Sequence, residues 1–273
     1  MLRAAILLFA LLVTPAARAA EPLIRGLDHI PIAVSDLPRA VSHFLDLGFA
    51  FKPGQRNANG IQNAHMKFPD GTELELITAA AATDELTSEY VDWLRGGDGA
   101  PFVGFYVPET TELAARISAL GSPLTLDGSR ATFPRSSLLH HLFFGKRQRS
   151  PTDRPEHFAH PNSAFGLIAV WLAEDALTQS LLQLMDAPPL RAQRCSPFGS
   201  STAQADLLDG EALFVAGAAP RPILAATVAV ENLEKAKRAI KTTAIALPCA
   251  PGSLWVGPDS AHGIWLEFRE VKR

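Results

Sequence analysis

Residues 27–78 read LDHIPIAVSDLPRAVSHFLDLGFAFKPGQRNANGIQNAHMKFPDGTELELIT, and their spacing sets the reading of the whole chain. His29 to Val34 is apolar and partly β-branched, which predicts a strand. Asp36 can cap the helix that follows, and Pro38 suits its first turn, where a missing N–H costs nothing. Leu37, Ala40, Val41, Phe44 and Leu45 recur at helical spacing and predict one buried face. Gly48 suits the position after the helix, which often needs positive φ. Gly60 and Asp70-Gly71 mark turns between later strands. Residues 72–77 (TELELI) alternate polar and apolar, as a half-buried strand does. His29 therefore opens a strand–helix–strands unit and Glu75 lies on its last strand.

The rhythm recurs three times. A second module begins near Phe102. FVGFYV is its first strand, Thr110 or Thr111 caps a helix presenting Leu113, Ala114, Ile117 and Leu120, and Gly121 ends it. LTLDG, TF and LLHHLFF are its later strands. The third begins near Phe165 with GLIAVWL. Asp175 then precedes a helix carrying Leu177, Leu181, Leu182 and Met185, which Pro188-Pro189 stops. ADLLDG and EALFVAG read as a hairpin pair. The fourth begins near Pro222 with ILAATVAV, Asn232 caps a helix through Leu233, Ala236 and Ile240, and SLWVG and GIWLEFRE follow. Recurrence at about 55–75 residues is a repeat signal. Several short strands after each helix favour antiparallel pairing over a doubly wound parallel sheet. No Gly-rich phosphate loop follows the first strand, so nucleotide binding has no support. GKRQRSPTDRPEHFAHPN is rich in Pro and charge. It predicts a linker at 146–162 between a first lobe at 21–145 and a second at 163–273.

Arg3, the short apolar run Ala4–Val13 and Ala17-Arg18-Ala19 read as a secretory signal peptide over residues 1–20. The run is about half of the roughly 20 residues needed to span a bilayer. Export to the periplasm or medium is the expectation, with no membrane association after cleavage. Loss of Arg3 and Arg18 with the leader takes the net charge from −3 to −5. That balance gives no basic surface for nucleic acid. In an oxidising compartment Cys195 and Cys249 could form one disulfide; the other reading is two buried thiols.

The βαβββ module, used in pairs, resembles the vicinal-oxygen-chelate superfamily, which includes glyoxalase I and extradiol dioxygenases. LDHIPIAVSDL, the LELIT strand and the later HPN before an apolar strand are similar to a glyoxalase-like domain family. The resemblance implies an α+β fold: four βαβββ modules paired into two glyoxalase/bleomycin-resistance-like lobes with mixed, mainly antiparallel cupped sheets. It implies a lyase, isomerase or dioxygenase acting on a small oxygenated molecule with a divalent metal (Zn, Mn, Fe or Ni). The alternative it allows is a metal-free protein that sequesters a small molecule. His29 falls at the first-strand ligand position and Glu75 at the last-strand position. His141 at the end of module two could complete a His–Glu–His face. Glu75 could instead shuttle a proton. A full four-ligand glyoxalase I set is absent, since Val103 and Gly104 cannot ligate by side chain. In the second half only Glu267 sits at a ligand position, so that lobe is expected to cover the first or to form a homodimer.

Each candidate has a plainer reading. His29 could be a hydrogen-bonded strand residue, and Glu75 could sit on an exposed sheet face. Glu73 shares the face of Glu75 by period two and is read as a solvent residue. His140 and His141 are adjacent and would point to opposite faces, or both could be surface imidazoles. His160 and Asn162, in HPN, could close over the cup mouth and bind substrate, or form a rigid turn. Arg147, with Lys146, Arg149 and Arg154, could bind a substrate carboxylate or phosphate, or be solvated.

Overall fold

The computed structural model describes residues 21–272 apart from positions 187, 194 and 218; the predicted leader at 1–20 lies outside the described residues. Module one comprises β1 (Gly26–Leu27), β2 (His29–Ala33), α1 (Leu37–Asp46), β3 (Lys52–Arg56), β4 (Ile61–Lys67) and β5 (Glu73–Ala79). Asp36 caps α1 by accepting from the Arg39 amide, and Gly48 follows the helix at φ 81°. Ala40 and Phe44 are buried against the sheet, with Leu37 and Val41 beside them. Leu45, expected on that face, is exposed. It lies about 100° past Phe44 at the edge of the stripe, and Leu47 is buried in its place.

A helix the sequence reading did not anticipate, α2 (Glu85–Leu94), follows module one. Asp84 and Thr87 cap it reciprocally, as in a capping box. Module two comprises β6 (Val103–Tyr106), α3 (Thr110–Ala119), β7 (Thr125–Asp127), β8 (Arg130–Thr132) and β9 (Leu142–Gly145). Glu109, not Thr110 or Thr111, is the N-cap of α3, without a side-chain bond. Leu113 and Ile117 are buried while Leu120 is exposed.

One segment joins the two half-sheets. β2 ends the four-stranded order β3-β4-β5-β2, and β1, one residue earlier, ends the order β1-β6-β9-β8-β7. Asp28 interrupts the two strands, and its amide donates to Gly104 O at 2.8 Å. Ala33 and Gly99 exchange backbone bonds at 2.8 and 3.0 Å. A Cβ at Gly104 would lie 2.3 Å from the Phe143 ring, so only glycine lets that ring lie over the seam. Within each module the first and last strands pair in parallel, β2 with β5 and β6 with β9; the remaining neighbours are antiparallel.

The second lobe repeats the plan in one continuous sheet. β10 (Ala164–Ala173), α4 (Ala176–Leu184), β11 (Arg191–Gln193), β12 (Thr202–Leu207) and β13 (Gly210–Val215) form module three. β14 (Ile223–Val230), α5 (Leu233–Ala239), β15 (Ala244–Ile245), β16 (Ser253–Val256) and β17 (Trp265–Glu270) form module four. The order is β11-β12-β13-β10-β14-β17-β16-β15, the same succession as in lobe one. The expected architecture of four modules in two cupped lobes is therefore the observed one. Cys195 and Cys249 are joined in a disulfide, with Cα atoms 5.7 Å apart. No helix among the described residues is long and apolar enough to cross a membrane.

Among the contacts that join the lobes, two groups stand out. The Asn162 side chain donates to Leu47 O at 2.9 Å and its amide donates to Gly48 O at 3.0 Å. On the other side, Arg221 donates to the carbonyls of Gly96, Gly97 and Asp98 and stacks on Trp93. The Asp98 carboxylate accepts from the Ser35 amide and lies 2.7 Å from His262 Nδ1, while His262 Nε2 lies 3.0 Å from His43 Nδ1. Removing one partner of a charge-assisted bond costs about 1.5–3 kcal/mol. Asp98→Ala should lower the urea midpoint of unfolding accordingly, and an unchanged midpoint would show that this clasp does not contribute to stability.

Candidate functional site

Parity on two strands places the site. β2 runs parallel to β5 with His29 opposite Glu73, and β4 runs antiparallel with His65 opposite Glu75 and Lys67 opposite Glu73. Side chains alternate along a strand, so Leu74 and Leu76 go into the core while Glu73 and Glu75 share the cup face, where Glu73 lines the cleft and Glu75 is buried. His29 Nε2 lies 3.8 Å from Glu75 Oε2. His29, Glu73 and Glu75 each offer a donor atom within 4.8 Å of the others, and no other such group of three occurs among the described residues. Glu73, expected to face solvent, is a member: it is half-buried on the cup face, where His65 and Lys67 of β4 lie beside its carboxylate.

Each member is held by a named neighbour. Asp28 Oδ2 lies 2.8 Å from His29 Nδ1, which leaves Nε2 turned to the carboxylates. The Asn63 side-chain amide donates to Glu75 Oε1 at 2.6 Å. His65 Nδ1 lies 3.2 Å from Glu73 Oε1 and Lys67 Nζ lies 3.4 Å from Glu73 Oε2. Asp153 bridges Lys52 at 2.6 Å and Lys67 at 3.3 Å. The sequence reading did not find Asp28, Lys52, Asn63, His65, Lys67 or Asp153. The signal for His65 and Lys67 was their alternation on the middle strand; Asp153 belongs to the 146–162 segment and reaches the cup only through tertiary folding.

These contacts set the charge states. Burial opposes protonation of His29, but the hydrogen bond and charge of Asp28, with Glu73 and Glu75 behind it, raise its pKa above the ordinary 6.5. His65 is likewise raised against burial by Glu73 and Glu75. Burial would raise Glu73, yet the His65 hydrogen bond and the His29, His65 and Lys67 charges pull it down to about 2.

The other candidates lie elsewhere. Residues 138–141 form a turn before β9, so strand parity does not govern His140 and His141. His141 Nδ1 lies 2.8 Å from Pro101 O, and His140 Nε2 lies 3.4 Å from Glu89 on α2; neither belongs to the triad. Phe143 takes the last-strand position and packs its ring 4.7 Å from His29. His160 is buried, accepting from the Ala50 amide at 2.9 Å and donating to Lys67 O at 2.9 Å. Asn162 is consumed by the lobe joint described above. Arg147 Nε donates to Leu27 O at 2.8 Å, and its guanidinium covers Tyr106. The structure thus gives His160, Asn162 and Arg147 bonds to the protein itself in place of an opening toward the cleft. Glu267 is held by Thr227 and Arg269 at 2.7 Å each.

The model of the glyoxalase-like domain family matches residues 27–184, more than half of the chain. The chain belongs to that family, within the vicinal-oxygen-chelate superfamily. No curated protein matches it. Among solved structures it is similar to the 2,3-dioxygenase LapB from Pseudomonas sp. KL28 (16% identity, 93% of this chain and 94% of that one, TM-score 0.61). It is also similar to a mutant of 4-hydroxymandelate synthase from Streptomyces coelicolor (10%, 90% and 92%, 0.63). A third is a variant of homoprotocatechuate 2,3-dioxygenase from B. fuscum (12%, 95% and 74%, 0.61). At these identities the likeness is one of fold.

A raised folded-state pKa means that the His29 contribution to stability is present below pH 6.5 and is lost as pH rises through the folded value. In chelator-stripped protein the His29 imidazole should titrate above 6.5 by NMR, and Asp28→Asn should bring it down. A His29 that titrates below 6.5 would show that burial wins.

Proposed function

We propose that the first cup is a divalent-metal site serving a lyase, isomerase or oxygenase reaction on a small oxygenated molecule. The supporting observation is the donor set: one imidazole and two carboxylates converge, and His29 and Glu73 among them line a cleft of about 370 Å³. The residues fit such an ion. Imidazole with carboxylates suits Zn, Mn, Fe or Ni. The Asp28–His29 hydrogen bond is the contact that usually fixes the tautomer of a ligating histidine. Bound there, the ion would act as a Lewis acid on vicinal oxygens of the substrate. The chain's own groups orient and protonate: Asn63 holds one oxygen of Glu75, leaving the other facing His29, and His65 stands beside both carboxylates to hold or release a proton.

A metal-free binding protein is the second reading, favoured by one observation. Asp28, Glu73, Glu75 and Asp153 are matched by Lys52, Lys67 and the two histidines with raised pKa. Elemental analysis separates the readings. The metal site requires near-stoichiometric metal that is lost in His29→Ala/Glu75→Ala, and about a 10–100-fold weaker affinity in Asp28→Asn. Protein that stays metal-free after incubation with Zn, Mn, Ni and Fe(II) transfers the assignment to ligand binding.

Export completes the proposal. It is supported by Arg3, the apolar run Ala4–Val13, Ala17-Arg18-Ala19 and the Cys195–Cys249 pair. Protein recovered from a periplasmic fraction should have a mass that begins near residue 20 or 21; an intact Met1 in the cytoplasm would refute export.

A further inference from the structure

We propose that the first cup takes a compact hydroxylated anion, a sugar acid or sugar phosphate, and that Arg130 fixes its anionic group. This deepens the proposed function and rests on its assignment of the first cup as the working site. It also sets the chain apart from the homoprotocatechuate 2,3-dioxygenase it resembles in fold, which is named for an aromatic substrate.

The first ground is what fills the cup. Its inner end is occupied by Ile61, Ile77, Tyr90, Phe102 and Phe143, with α2 contributing Tyr90 and flanking residues. An aromatic ring would need an apolar slot, and the protein's own side chains take that volume.

The second ground is the lining of what remains. Beyond His29, Glu73 and the two lysines, the open cleft presents Gln55, Asn57, Asn63, Gln148, Ser150 and Thr152. Amides and hydroxyls both donate and accept, which suits a ligand with several hydroxyls.

Charge is the third. Lys52 and Lys67 are neutralised within the wall by Asp153 and Glu73. Arg130, on β8, lies 5.5 Å over the Phe143 ring, whose other neighbour is the His29 ring. Its guanidinium lines the cleft and makes no ion pair or side-chain hydrogen bond among the described residues. A planar guanidinium fork is matched to carboxylate and phosphate oxygens. The Arg130–Phe143–His29 stack thus sets an unpaired cation one ring away from the triad. A ligand whose anionic group meets Arg130 would extend its hydroxyls toward His29 and Glu73, the triad members that line the cleft.

The test is isothermal titration of the purified, Mn(II)-loaded protein with gluconate, glucose 6-phosphate, sorbitol and catechol. One of the two anions should bind at least about tenfold more tightly than sorbitol and catechol, and Arg130→Gln should remove about that factor. Mn(II) affinity in Arg130→Gln should stay within about twofold, since Arg130 does not touch the triad. Tighter binding of gluconate identifies a carboxylate, and tighter binding of glucose 6-phosphate a phosphate. The proposal is overturned by catechol binding as tightly as either anion, by an anion preference that survives Arg130→Gln, or by no saturable anion binding. If Mn(II) does not bind, the same titrations run without it. Anion binding that depends on Arg130 then sustains this assignment while the metal reading falls.

Discussion

The parallel pairing of β2 with β5 is the contact on which the rest depends. It sets His29 opposite Glu73 and Pro31 opposite Glu75, and a shift by one residue would turn every cup-facing side chain into the core. The same pairing buries Ile30, Ile32, Leu74 and Leu76 under α1. Apolar burial on one face thereby holds polar groups in fixed register on the other, at no conformational cost borne by the site itself.

Charge matching is what makes that polar face tolerable. A buried carboxylate without a partner is expensive, and here Glu75 has Asn63 and His29 while Glu73 has His65 and Lys67. The cup wall extends the series through Asp153 to Lys52.

The second lobe shows what the same frame becomes with other side chains. Trp255 and Trp265 pack edge to face with Phe198, and Trp171 packs tilted against it, Phe198 being brought in by the chain around Cys195. Glu267, in the place of a ligand, is closed off by Thr227 and Arg269. Two cups of one topology thus carry different interiors: the first opens on a polar cleft, and the second packs a tryptophan cluster.

The amino-acid sequence by itself determined the modules: helical stripes, caps such as Asp36, Asp175 and Asn232, and turn glycines are local properties, each visible within a few residues. Strand parity on the alternating stretch 72–77 put Glu75 on the face opposite Leu74 and Leu76, and the family resemblance singled out His29. The sequence failed where the answer depended on distant chain. Nothing local distinguishes Glu73 as a cup residue from a solvent residue, or sends His141 to Pro101 and His160 to the backbone of Ala50 and Lys67. The helix α2 was missed although Asp84 and Thr87 announced its start. Only the tertiary structure decided that Asp153 crosses to Lys52 and Lys67, that Phe143 occupies the last-strand position over Gly104, and that His160 and Asn162 serve the lobe joint. Those outcomes follow from which groups meet across the sheet seam, where burial and charge, and not spacing, select the partner.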